Sequence, residues 1–378
     1  MLPDVTFKPG LEGVIAAQTR LSSVDGQAGE LIIAGFPLEE LASKATFEET
    51  LYLLWHDELP DAQQLAELKS ELASRRSLPE ATLALLRAAA ARKVGGMDAL
   101  RMAAGSLSLA SRDEDVRQDA LMLVAAFPTI VAAYWRLLNG QTPLEPRADL
   151  GQAANYLYML SGKAPSEEQV RGLETYLNTV VDHGLNASTF TARVIISTQS
   201  DMISAIVGAL GALKGPLHGG APGPALDMVF EIGDAANAEP YLRRKLDAGE
   251  RLMGFGHRVY KVRDPRAEVL AAAAERMFQA DGDMKLYNLV RAVEQTAVRL
   301  LAEYKPGRNL QTNVEFYTAL LLHGLNLPVE LFTPTFAISR VGGWTAHCFE
   351  QQEANRLIRP QSVYTGVKNR RWVALEAR

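Results

Sequence analysis

The residues of this chain best equipped for chemistry fall in a few short stretches. The densest is Gly254-Phe255-Gly256-His257-Arg258-Val259-Tyr260-Lys261, which runs on to Asp264-Pro265-Arg266. Gly254 and Gly256 lack a Cβ and tolerate positive φ, so the backbone around His257 can bend tightly and approach a ligand. Asp264 and Pro265 read as an N-cap and first helical residue, which puts Arg266 in the first turn. An imidazole and a guanidinium held together in this way suit a small anionic substrate. A loop histidine beside a solvated arginine is the plainer alternative.

Lys214-Gly215-Pro216-Leu217-His218-Gly219-Gly220-Ala221-Pro222-Gly223-Pro224 sets a second histidine in a stiff, tight loop unlike a flexible glycine-serine linker. His218 is there either a catalytic group or an exposed residue of an interhelical turn. Neither glycine-rich stretch has a phosphate-loop pattern or a GxGxxG after a strand, which argues against nucleotide-binding folds. His183 is expected at the end of a helix opened by the capping box Ser166-Glu167-Glu168-Gln169, with Gly184 as terminator. The negative helix end would favour a protonated imidazole, able to meet a ligand carboxylate or to cap its own helix. Glu315 stands in the apolar run Val314-Glu315-Phe316-Tyr317, where desolvation would prepare it as a base; an exposed acid at a helix start is the other reading. Arg340 interrupts an apolar face between Phe336 and Trp344. A buried guanidinium needs an anionic partner or several acceptors, so a ligand and a structural salt bridge are both open. Arg359 falls in a last helix, and Lys305 and Arg308 fall in a basic loop that could meet phosphates or stay solvated.

The elements that must position these groups are mostly helical. Helical periodicity predicts segments over 47–56, 61–75, 79–92, 166–183, 186–196, 201–213, 225–232, 240–248, 265–280 and 284–303. The one clear β signal lies between Arg20 and Gly35, as two short strands around Asp25-Gly26. The uncharged stretch from Ala120 to Trp135 contains Pro128 and falls short of the roughly 20 residues that span a bilayer. It is expected to form two buried helices, Leu121 to Phe127 and Pro128 to Asn139, with no membrane segment.

A length of 378 residues allows two or three domains, or one large helical domain with an insertion. With 39 basic and 44 acidic residues the formal charge is −5, so the chain as a whole gives no support for a nucleic-acid surface. The single cysteine, Cys348, excludes an intramolecular disulfide and a multi-cysteine metal site and suits a reducing, cytoplasmic setting. Met1-Leu2-Pro3-Asp4-Val5 lacks the basic and apolar regions of a secretory leader. His56, His323 and His347 show no metal-ligand spacing and are expected to be structural; no metal is expected.

Four stretches in order, His183 to Ser188, Gly215 to Ala221, Gly254 to Arg266 and Asn313 to Tyr317, resemble the citrate synthase family, and the likeness extends from Asp25-Gly26 to Arg359-Pro360. The resemblance implies an all-α fold with a short N-terminal β-hairpin. It implies a large domain of 1–218 and 328–378, for dimerisation and oxaloacetate binding, and a smaller inserted domain of 219–327, which binds CoA and closes over the site. It implies His218, His257 and Glu315 as catalytic residues, and His183, Arg266 and Arg340 as ligands of the dicarboxylate. Arg359 would complete the site of the partner in a homodimer. The substrates would be oxaloacetate and acetyl-CoA, with no cofactor. Leu252, Gly254, Gly256, Lys305 and Arg308 are candidates for CoA contacts, on the grounds of the basic loop and the bare glycines.

One position departs from the family pattern, which usually has Asp where this chain has Glu315. The longer side chain moves the carboxylate by roughly a bond length, so either the backbone has adjusted or the activity is reduced. Two alternatives accompany the leading reading: a 2-methylcitrate synthase using propionyl-CoA, and a helical metabolite-binding homologue that has lost the reaction.

Overall fold

The computed structural model describes residues 7–111, 115–219, 223–257 and 259–378. The leader expectation at 1–5, the Gly220-Ala221-Pro222 part of the His218 loop, and Arg258 lie outside the described residues. The chain opens with a small antiparallel sheet in the order β1 (Ser22–Asp25), β2 (Glu30–Ile33), β3 (Phe36–Pro37). Asp25 and Glu30 close the first hairpin, with the Asp25 carboxylate accepting from the amides of Gln27 and Ala28. The sequence predicts two strands; the third forms because Ala34 and Gly35, at φ +42° and +86°, make a tight turn matched to strand twist.

Sixteen α-helices follow among the described residues. The first half holds α1 (Leu38–Leu41), α2 (Phe47–His56), α3 (Ala62–Ala73), α4 (Glu80–Ala91), α5 (Gly96–Ser106), α6 (Val116–Leu138), α7 (Gln152–Ser161) and α8 (Glu167–Val180). The second holds α9 (Ala187–Ser197), α10 (Met202–Leu213), α11 (Gly223–Ile232), α12 (Ala238–Asp247), α13 (Pro265–Asp281), α14 (Lys285–Tyr304), α15 (Val314–Gly324) and α16 (Phe332–Glu353). Local caps set many of the starts. Thr46, Asp61 and Ser166 each form a full capping box, while Asn186, Asp264 and Asn313 accept a first-turn amide.

The two helices expected across Pro128 are one, α6, with the proline in its interior. A proline removes the hydrogen bond to the carbonyl four residues back, here that of Val124. Gln152 Nε2, at the start of α7, donates to that carbonyl at 3.0 Å, and its Oε1 accepts from the buried Arg76. The helix therefore continues because a residue distant in sequence supplies the missing donor. By length and composition α6 could cross a membrane, but most of it is buried inside the fold.

The core gathers around α16, which packs against α2, α6, α8, α9 and α10 and buries Ile338, Val341 and Trp344 completely or nearly so. Full burial of such side chains is worth roughly 1.5–3 kcal/mol each. At Gly343 the helix meets the segment after α8 so closely that an added Cβ would lie 2.1 Å from the Val181 carbonyl oxygen. Gly343→Ala should lower stability by about 1–3 kcal/mol. It should also push on the backbone that carries His183, so thermal melting and ligand binding should suffer together.

Arg359 lies beyond the end of α16, in an irregular, exposed segment rather than in a last helix. The proline after it disfavours helical backbone at that position.

Candidate active site

Three separate turns converge on one cavity of about 470 Å³. Its wall includes His183, His218, His257, Arg266, Glu315 and Arg340, six residues drawn from segments nearly 160 positions apart. His183 follows α8, whose last helical residue is Val180, and Gly184 turns the chain at φ +57° before Asn186 caps α9. His218 follows α10, and His257 sits just after Gly254 and Gly256, at φ +85° and +84°.

The 254–257 bend is clipped to the segment before α15. Gly256 N donates to Gln311 O at 2.7 Å, Asn313 N to Gly254 O at 3.0 Å, and Asn313 Nδ2 to Gly256 O at 2.9 Å. The β1–β2 turn braces the same loop from the other side: Lys261 N donates to Gly26 O at 2.8 Å, and a Cβ on Gly26 would collide with Val259 O. The N-terminal hairpin is thus part of the scaffold of His257.

Hydrogen bonds fix the tautomers. His218 Nε2 accepts the Ser188 amide at 3.3 Å and lies 2.8 Å from Ser188 Oγ, so its proton resides on Nδ1. His257 Nδ1 accepts the amides of Val259 and Tyr260, both at 3.1 Å, which leaves Nε2–H as the free donor. That donor lies 3.4 Å from Arg266 Nη2, another donor. Two donors side by side call for a shared acceptor oxygen. Arg266 itself is locked by the wholly buried Asp264, through bonds of 3.0 and 2.8 Å.

The electrostatics are set by burial. Desolvation, aided by Arg340, lowers the His218 pKa to about 4; desolvation, aided by Arg266, lowers that of His257 to about 4. His183 lies well below its ordinary value through desolvation and then Arg266, Arg340 and His257. The expectation of a cationic His183 is therefore corrected: its ring is neutral at pH 7, because burial and neighbouring guanidiniums outweigh the helix end. Its Nε2 lies 3.1 Å from the Tyr260 hydroxyl. Burial raises the Glu315 pKa against an opposing pull from Arg266, the direction expected of a base. Arg340 stacks on Phe336 and donates through Nε to Val180 O at 2.6 Å, and burial lowers its pKa to about 10. It forms no salt bridge to a carboxylate among the described residues, which leaves much of its charge for a ligand.

The remaining predicted residues stand apart from the cavity wall. Lys305 and Arg308 are exposed in the loop between α14 and α15; Leu252 is buried; Gly254 packs on Phe316; and Gly256 is used in the clip just described. Arg359 does not line the cavity of its own chain. Sequence reading missed Tyr260 and Ser188 as partners of His183 and His218, and Trp344 as the donor to Ser188. The first two lay inside stretches already singled out, and Trp344 lay one helical turn after Arg340.

Residues 10–361 match the family described as "Citrate synthase, C-terminal domain". Citrate synthase 2 of Bacillus subtilis is 42% identical over 99% of this chain and 100% of its own. A 2-methylcitrate synthase of Mycobacterium tuberculosis is 39% identical over 97% and 92%. The solved ternary complex of carboxymethyl coenzyme A and oxaloacetate with citrate synthase from Thermoplasma acidophilum is 30% identical, covers 98% of this chain and 99% of that one, and superposes with a TM-score of 0.88.

Proposed function

This chain belongs to the citrate synthase family of acyltransferases, and from that premise we propose that it condenses acetyl-CoA with oxaloacetate and water to give citrate and CoA. The observation that carries the reading is the convergence in one cavity, among the described residues, of three neutral imidazoles, two guanidiniums and a single carboxylate with a raised pKa.

An acetyl thioester methyl is a weak carbon acid and needs both a base and a donor for the oxygen on which charge develops. Glu315 takes the methyl proton while His218 Nδ1–H hydrogen-bonds the thioester oxygen. The enol carbon then attacks the ketone carbon of oxaloacetate, whose oxygen sits between His257 Nε2–H and Arg266. A neutral imidazole can donate there without carrying a charge into the site. Protonation of the alkoxide and attack of water on the citryl thioester release citrate and the CoA thiol. Arg266, Arg340 and His183 hold the carboxylates, the arginines through forked hydrogen bonds.

Movement of 219–327 against the rest of the chain is proposed to close the cavity and exclude water until the carbon–carbon bond has formed. A homodimer is proposed in which Arg359 enters the partner's site. Its support is that Val363, Tyr364, Val367 and Trp372 are exposed in the extended segment around and beyond Arg359, with no core of their own. Lys305 and Arg308 remain proposed contacts for the CoA phosphates in the closed form. The buried free thiol of Cys348 is compatible with a cytoplasmic setting.

Propionyl-CoA is the second acyl donor to test, because a 2-methylcitrate synthase matches nearly the whole chain and one methyl group discriminates by only about 1–3 kcal/mol. Mixing the protein with oxaloacetate and either thioester, and following free thiol, decides between them. No thiol release with either would reject both.

The acid limb of kcat should belong to a carboxylate above its ordinary pKa and not to an imidazole. Glu315 is the active base when ionised, so activity is lost as pH falls through its raised pKa, while His218 and His257 gain protons only near pH 4. A pH–rate profile taken at two temperatures checks this, since a limb near 6.5 with the ionisation enthalpy of an imidazole would contradict it.

A further inference from the structure

The helix that carries Arg340 reaches two other parts of the site. Trp344 and His347 follow Arg340 by four and seven residues, hence on one face of α16. Trp344 Nε1 donates to Ser188 Oγ at 3.1 Å, and Ser188 holds His218. His347 is wholly buried. Its Nδ1 accepts from Arg193 Nη1 at 3.0 Å, which puts its proton on Nε2, 3.1 Å from Asp182 Oδ1. Asp182 Oδ2 accepts from Ser22 Oγ at 2.6 Å, and that hydroxyl oxygen accepts from Gly184 N at 2.8 Å. Arg193 is anchored by Glu350 at 2.5 Å, and Glu350 also accepts the Arg20 amide at 2.8 Å.

The two residues that flank His183 are thus both tied down: Asp182 by its carboxylate and Gly184 by its amide. The His183 ring itself has Tyr260 as its one side-chain hydrogen-bond partner among the described residues. We propose that His347 is a positioning residue for oxaloacetate binding, which through Asp182 and Ser22 fixes the backbone on both sides of His183. The proposal rests on the condensation reading above. It assigns a purpose to a histidine whose sequence spacing suggests only a structural role, and to β1, whose Ser22 lies in the first strand of the chain. The chain Arg193–His347–Asp182–Ser22 is polar along its whole length, from buried Arg193, His347 and Asp182 to half-buried Ser22, an arrangement that sets orientation and that an apolar plug could not reproduce.

The test uses the full chain and its His347→Leu, His347→Gln and Ser22→Ala variants. Oxaloacetate KM, acetyl-CoA KM, kcat and melting temperature are measured for each. Leucine keeps the volume and loses both bonds; glutamine can donate to Asp182 and accept from Arg193. His347→Leu should raise the oxaloacetate KM by roughly 10–100-fold, in line with the loss of other outer-shell partners. The acetyl-CoA KM should not move with it. His347→Gln should recover most of that loss, and Ser22→Ala should shift the oxaloacetate KM in the same direction by less. A folded His347→Leu protein with an unchanged oxaloacetate KM overturns the proposal, as does a glutamine variant as impaired as the leucine one. If His347→Leu does not fold, Ser22→Ala decides, and an unchanged oxaloacetate KM there overturns it. A wild-type chain that releases no thiol overturns the condensation reading and this proposal together; a working wild type with unresponsive variants overturns this proposal alone.

Discussion

Glu315→Gln should lower kcat by on the order of 10²–10⁴-fold, the usual contribution of a positioned general base. The substitution preserves size and leaves the backbone of α15 undisturbed, because Asn313 accepts from the Glu315 main-chain N–H and not from its side chain. What it removes is the single carboxylate that the described residues place on the cavity wall, the group whose pKa burial raises. Oxaloacetate binding should change little, since its carboxylates are assigned to the arginines. Exchange of the acetyl-CoA methyl protons with deuterated solvent, followed beside thiol release, separates loss of proton abstraction from loss of binding. Near-normal citrate formation by Glu315→Gln would show that the base lies elsewhere. Glu315→Asp asks whether the site has adjusted to the longer acid. If it has, the shorter chain withdraws the carboxylate and costs on the order of 10²-fold, because misplacement by about 1 Å has that effect. A gain in rate would instead mark Glu315 as an impaired version of the usual arrangement.

Arg340→Met should remove oxaloacetate binding without unfolding the protein. Arg340 is 2% exposed, and its guanidinium lies 4.5 Å above the Phe336 ring and donates to the Val180 carbonyl. The nearby negative charge, Asp182, is already engaged by His347 and Ser22. A buried charge without a partner destabilises the empty protein, so an apolar replacement of similar volume should leave the melting temperature equal or higher. Binding should behave in the opposite way. Losing one partner of a buried charge pair costs about 2–5 kcal/mol, which is roughly 30- to 5,000-fold in affinity. Thermal melts with and without oxaloacetate test both halves together: the empty variant should be as stable as wild type, and the ligand should no longer raise its melting temperature. A variant that melts much earlier but still responds to oxaloacetate would make Arg340 a structural residue.

The same residues show what a linear reading can and cannot deliver. Caps at Thr46, Asp61, Ser166, Asn186 and Asp264 are local chemistry, and each starts a helix that the sequence predicts. The paired glycines around His257 adopt the positive φ that their lack of a Cβ allows. Pro128 is the counterexample. A proline in an apolar run reads as a break, and only the arrival of Gln152 at the Val124 carbonyl lets the helix pass through. A histidine after a helix end likewise reads as a cation, yet the His183 pKa is pushed well below its ordinary value, first by burial and then by Arg266 and Arg340, some 80 and 160 positions away in sequence.

The sequence by itself therefore determined most of the helices, the family likeness and which residue types could act, since caps, turns and motifs are read within a few neighbouring positions. Only the tertiary structure decided which of those residues share a cavity, which tautomer His218 holds, and which contacts link His347 to the backbone beside His183. Those properties arise from desolvation and hydrogen bonds between segments distant in the chain, and no local pattern encodes them.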